Sequence, residues 1–253
     1  MASRQKLRIL CFGDSLTAGY SSMGAIYHTY ETMLVQFLEM AFPELDVETV
    51  EDGVPGSVVK YDFKSRMEEH FDPDTKGNNG YDWAIVLGGT NDIAMGIPGE
   101  DVFTELKKVW DMPLRRNVKV LALTVPEAGM GNSPAIIARR KALNDSIKGY
   151  KRTNFHAFDL HAAIPYFAMS AEDRRRYWDD AIHFTPDGYD FIGNKVGIYL
   201  VSILAREKAE NDPSPAKRRR WFKDDEKVFD EEENESPKAI DRGYVVVRRR
   251  DLD

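Results

Sequence analysis

A single cysteine, Cys11, in 253 residues rules out an intrachain disulfide framework. Long hydrophobic runs are also missing. The stretch Met1–Arg8 is polar, and the apolar run after it, Ile9–Phe12, is too short for the core of a signal peptide. No segment approaches the length of a membrane span. A cytoplasmic protein without a membrane span is therefore expected. Positive charge is not in surplus: 35 Lys and Arg face 42 Asp and Glu, a net charge of −7. The main body is thus not expected to bind nucleic acid or an anionic membrane by broad attraction, although a local basic pocket for acidic substrates stays open. There is no G-x-G-x-x-G or Walker A pattern, so no nucleotide cofactor is expected. Without H-E-x-x-H or a Cys/His cluster, no metal is expected either.

What the chain does contain is an alternation. Short apolar runs at Leu7–Phe12, Asp46–Val50, Trp83–Leu87, Val118–Thr124 and Phe155–Leu160 read as strands. Their near-continuous apolar character suits strands covered on both faces. Between them lie stripes with helical spacing: Ile26, Tyr30, Leu34, Phe37 and Leu38, and then Val59, Phe63, Met67 and His70. A third stripe joins Tyr189, Ile192, Val196, Tyr199, Leu200 and Ile203. Its helix is expected to start with Thr185 as cap, Pro186 in the first turn and Asp187 at the positive dipole end, and to run to about Ala209. Strand–helix alternation of this kind predicts an α/β fold with a parallel sheet and helices on both faces. Ligands of such sheets bind at the carboxyl ends of the strands.

Polar clusters come after the strands where such a site would lie. Gly13-Asp14-Ser15-Leu16 comes directly after the first strand, and Ser15 there would expose its hydroxyl near a helix start. The same residues also fit a plain turn and cap. After the second strand, Gly53-Val-Pro-Gly56 offers the N–H of Gly53, or simply a turn. After the third, Gly88-Gly89-Thr90-Asn91-Asp92 could aim the Asn91 amide at developing negative charge, or again form a turn. Asp180-Ala-Ile-His183 stands before the last helix. A serine nucleophile needs a base, and a carboxylate three residues upstream could hold that imidazole by its other nitrogen.

In this order the four blocks closely resemble an SGNH hydrolase of the GDSL lipase/esterase superfamily. The resemblance rests on Gly13-Asp14-Ser15-Leu16, Gly53, Gly89-Thr90-Asn91-Asp92 and Asp180-Ala-Ile-His183, with Gly188-Tyr189 as a fitting continuation, and covers residues 7–205. It implies a flavodoxin-like three-layer α/β/α sandwich with a five-stranded parallel sheet. It further implies carboxylic ester hydrolysis, with a small-molecule ester as substrate and an acyl-enzyme intermediate. Ser15 would be the nucleophile, His183 the base and Asp180 its orienting carboxylate. The oxyanion hole would comprise the N–H groups of Ser15 and Gly53 and the side chain of Asn91. Asp52 departs from the polar amide of many relatives, and Pro55 stands between the two glycines. Two alternatives remain: an acyltransferase on the same site, and a catalytically silent binding protein acting through its C-terminal tail.

The remaining candidates are weaker. His161, in Asp159-Leu-His161, is the rival base, while His28, His70 and His156 fit packing or surface roles. Cys11 reads as a buried, inert thiol. The loop Pro126–Pro134, with Gly129, Met130 and Gly131, is either a pocket wall or a plain connection. A boundary near residue 210 would separate a hydrolase domain, 1–209, from a charge-dense tail, 210–253. The tail carries 11 basic and 13 acidic groups. Its Lys217–Arg220 run fits a nuclear-localisation or nucleic-acid patch, or a solvated, partly disordered segment. Trp221, Phe222, Phe229 and Tyr244–Val247 suit docking on the domain itself or on a protein partner, for instance as an added strand.

Overall fold

Each apolar run becomes a strand of one parallel sheet. The strands are β1 (Gln5–Gly13), β2 (Leu45–Gly53), β3 (Trp83–Leu87), β4 (Lys119–Leu123) and β5 (Phe155–Phe158). Their order across the sheet is β2-β1-β3-β4-β5, with every neighbouring pair parallel. The structure, a computed structural model, describes residues 4–71, 80–129 and 133–211. The tail residues from Lys217 on therefore lie outside the described residues, as do Met130 and Gly131.

The helices fill the connections. They are α1 (Ser15–Ala18), α2 (Glu31–Ala41), α3 (Lys64–Phe71), α4 (Thr90–Ala94), α5 (Gly99–Arg115), α6 (Pro134–Gly149), α7 (Leu160–Ala163), α8 (Ala171–Tyr177) and α9 (Pro186–Asn211). One sheet face presents Leu10, Phe12, Ala84, Val86, Val120 and Ala122 to a core shared with α3, α5 and α6. Helix α5 supplies Val102, Leu106, Val109 and Trp110, all essentially buried and spaced for one helical face. Burial of each such side chain stabilises the fold by about 1.5–3 kcal/mol. On the opposite face Cys11 lies against Tyr30, just before α2, and Tyr199 of α9 packs on Phe158 of β5. Helix α9 crosses α2 closely at Gly193, where an added Cβ would fall 2.3 Å from the Tyr30 carbonyl oxygen. The chain divides into two compact units, Met1–Ser202 and Ile203–Asp253. The described part of the second, 203–211, is helical.

Register carries the strand ends to a common row. Gly53 pairs with Gly13, Gly13 with Leu87, Leu87 with Leu123 and Leu123 with Phe158. The chain leaves β1 for β2 on one side and returns to β3 on the other. This topological switch opens a crevice at the carboxyl ends of β1 and β3.

Two expected elements differ in extent. The stripe from Ile26 to Leu38 is not one helix. Ile26–Tyr27 instead pairs with Tyr20–Ser21 in a short antiparallel hairpin, and α2 begins at Glu31. Positive φ angles at Ser22, Met23 and Gly24 make this turn, which no helix accommodates. The Val59–His70 stripe opens with a π-helical turn over Val59–Phe63 before α3. The last helix starts as expected, with the Gly188 N–H donating to Thr185 Oγ1 at 3.1 Å. Among the described residues no helix is long and apolar enough to cross a membrane.

Candidate active site

Ser15 is placed by a turn that only a glycine fits. A Cβ on Gly13 would lie 2.2 Å from Thr17 Oγ1 and 2.5 Å from the Leu87 carbonyl oxygen. The chain then turns directly into α1, where Asp14 caps the helix by accepting from Leu16 N–H at 2.9 Å. Ser15 is the first helical residue and is nearly buried. Asp14 is wholly buried, and that burial pushes its carboxyl up to about 6.

His183 arrives from the loop between α8 and α9. Asp180 shapes this loop with both carboxylate oxygens. Oδ1 accepts from the N–H groups of Ile182 and His183, each at 2.6 Å, and Oδ2 lies 2.8 Å from His183 Nδ1. Burial opposes ionisation of Asp180, but the His183 ring and these N–H donors hold its carboxyl below the ordinary value. With the Nδ1 hydrogen directed at Asp180, His183 Nε2 is the accepting nitrogen. It lies 3.0 Å from Ser15 Oγ. Around the loop, Trp178 bridges Phe184, Asp179 N–H donates to the His183 carbonyl, and Gly129 N–H donates to the Ala181 carbonyl. The Tyr20 ring leans on the imidazole with centroids 4.6 Å apart. Tyr20 is in turn held by its carbonyl, which accepts from Tyr189 OH.

Across the crevice, Asn91 is the second residue of α4, after Gly89, whose φ of 117° permits the sharp exit from β3. Asn91 Nδ2 donates to the Ser57 carbonyl at 2.8 Å. An amide nitrogen carries two hydrogens, so one remains for another acceptor. The neighbouring Asp92 is buried and takes the N–H groups of Val59 and Lys60, which fastens the loop after β3 to the one after β2. Gly53 is placed differently from Asn91. It ends β2, and its N–H donates to Glu51 Oε1 at 2.5 Å. Three residues on, Gly56 sits in the turn closed by Ser57 N–H on the Val54 carbonyl, with φ at 81°. Among the described residues its N–H has no acceptor.

The structure thus brings Ser15, His183 and Asp180 into one hydrogen-bonded line and sets Asn91 beside Ser57. His161 is not part of it: its backbone N–H donates to Thr124 Oγ1, and its Nε2 lies 4.0 Å from Glu127. His28 pairs with Asp190, His70 with Asp52 and Tyr81, and His156 stacks on Trp83. Among the described residues no His, Cys, Asp or Glu group is arranged to hold a metal ion. Sequence reasoning passed over Tyr20 and Arg66, and took Gly56 only as part of a turn. A Gly-Tyr pair after α1 and a Gly with turn partners were visible, but nothing local marks Arg66.

Comparison with known proteins identifies the fold and the family. An acetylxylan esterase of Geobacillus stearothermophilus is 31% identical over 93 residues, which is 34% of this chain and 40% of that esterase's length. The solved acetylxylan esterase of the same organism superposes with a TM-score of 0.57 at 19% identity, covering 78% of this chain and 94% of that one. A lipase/acylhydrolase from Enterococcus faecalis gives 0.55 at 20% identity, over 78% and 96% of the two chains. The GDSL-like Lipase/Acylhydrolase family matches residues 11–191, most of the chain. With that match, and with this sheet order and crevice, the chain belongs to this family of SGNH hydrolases.

Proposed function

We propose that the protein is a serine ester hydrolase that works through an acyl-enzyme. One observation carries this: the unbroken line from Ser15 Oγ to His183 Nε2 at 3.0 Å, and from His183 Nδ1 to Asp180 at 2.8 Å. Ser15 Oγ attacks the ester carbonyl while His183 Nε2 takes its proton. Asp180 stabilises the imidazolium and keeps the ring in place. The tetrahedral oxyanion is met by the Ser15 N–H and the second amide hydrogen of Asn91. For the third donor we assign Gly56 N–H in place of Gly53 N–H, because the latter already holds Glu51. His183 then gives its proton to the departing alcohol. Water repeats the sequence on the acyl group and restores Ser15. Relatives named as acetylxylan esterase and carbohydrate acetylesterase make acetyl esters the first substrates to try.

A fluorophosphonate probe and 4-nitrophenyl acetate test the assignment. The protein should label once, on Ser15, and turn over the ester, and Ser15→Ala should do neither. Undiminished labelling of Ser15→Ala would remove Ser15 from its role.

A further inference from the structure

We infer that Arg66, on α3, is a positioning residue that sets the spacing between the Ser15 turn and the Asn91 amide. The inference rests on the proposed hydrolase mechanism. Arg66 reaches back to the row of strand ends, where both terminal nitrogens are fully engaged. Its NH1 donates to the Gly13 carbonyl at 3.0 Å and to Ser57 Oγ at 2.7 Å. Its NH2 donates to the Asp52 carbonyl at 2.7 Å and to Asp52 Oδ1 at 2.6 Å. The guanidinium also lies over the Phe12 ring, 4.6 Å from its centroid. Asp52 is fixed in turn, because Oδ2 takes His70 Nε2 at 2.8 Å and His70 Nδ1 meets Tyr81 OH.

The acceptors matter because of their neighbours in the chain. Gly13 is two residues before Ser15. Ser57 comes directly after Gly56, and its own carbonyl holds Asn91 Nδ2. Two steps from one guanidinium therefore connect the nucleophile's turn to the oxyanion amide. Ser57 Oγ also donates to Asp62 at 2.8 Å, so this hydroxyl is committed on both sides. Four acceptors lying around one planar fork suit arginine, whereas a lysine ammonium has three hydrogens and no plane. Oxyanion stabilisation is sensitive to donor displacements well under an ångström, so loosening this clamp should act on the transition state more than on substrate binding.

The test is a double-mutant cycle between Arg66→Met and Asn91→Ala with 4-nitrophenyl acetate, on variants that melt cooperatively. Alone, Arg66→Met should lower kcat by about thirtyfold and leave KM within about threefold. In the Asn91→Ala background it should cost less than about threefold more, because the amide it positions is gone. Arg66→Lys should recover only part of the loss. If Arg66→Met does not fold, Ser57→Ala takes its place, removing one acceptor while sparing the carbonyl that holds Asn91. An additive cycle, or an effect confined to KM, overturns the inference. Turnover that survives in Ser15→Ala overturns the mechanism beneath it as well. An inactive Ser15→Ala with an additive cycle sinks the Arg66 inference alone.

Discussion

A buried carboxylate next to Ser15 should leave a mark on stability. Asp14 titrates at about 6 in the folded protein, against 3.8 for an unhindered carboxyl, because burial disfavours its charge. The folded state therefore holds that proton more tightly. Stability from this group is complete below pH 3.8 and falls as the pH rises through 6, by about 3 kcal/mol. Asp14→Asn keeps a capping side chain without the charge, so its stability should rise relative to the parent between pH 4 and 7. Urea unfolding at the two pH values measures this, and a parallel pH dependence would contradict it. Asn91→Ala removes the proposed oxyanion donor and should cost about 3 kcal/mol, roughly a hundredfold in kcat. A loss below about threefold would make Asn91 structural. Glu51→Ala separates the two glycines: with Gly56 as donor, kcat should stay within about threefold, whereas a tenfold rise on freeing Gly53 N–H would restore Gly53. Residue types and spacing made Ser15, His183, Asp180 and Asn91 legible, since each lies in a short block. Arg66 was not legible, because its acceptors at Asp52 and Gly13 stand 14 and 53 residues away.

At the scale of elements, strand positions were readable and the helical stripes less so. A strand buried on both faces shows as a continuous apolar run, and Trp83–Leu87 is buried throughout. The spacing of Ile26, Tyr30 and Leu34 fits a helix just as well as the observed hairpin plus helix, and left-handed backbone at Ser22 and Met23 decided between them. The crossing of α9 on α2 gives a sharp contrast between two glycines. Gly193→Ala would press a Cβ against the Tyr30 carbonyl at 2.3 Å and Met33 Cβ at 2.9 Å. Although alanine favours helix by about 1 kcal/mol, overpacking here should win and destabilise by about 1–3 kcal/mol. For Gly197→Ala the three nearest atoms all belong to the Phe37 side chain, at 3.1–3.4 Å, which can give slightly, so the change should be close to neutral. Thermal melts of the two variants should separate clearly, and equal melts would show that the helices slide apart without cost.

For the whole molecule, the proposed chemistry rests, among the described residues, on groups between Gly13 and His183. A chain ending at Asn211 should hydrolyse 4-nitrophenyl acetate within about threefold of the full chain, and a larger loss would give the tail a part in catalysis. The line from Ser15 to His183 also has a temporal meaning. It joins residues 168 apart in the chain, and a contact of that sequence separation is expected to form late in folding. Recovery of probe labelling after dilution from denaturant should therefore lag behind the far-ultraviolet signal of the sheet and helices, and simultaneous recovery would contradict this order. The active site is in this sense a clock for the last stage of assembly.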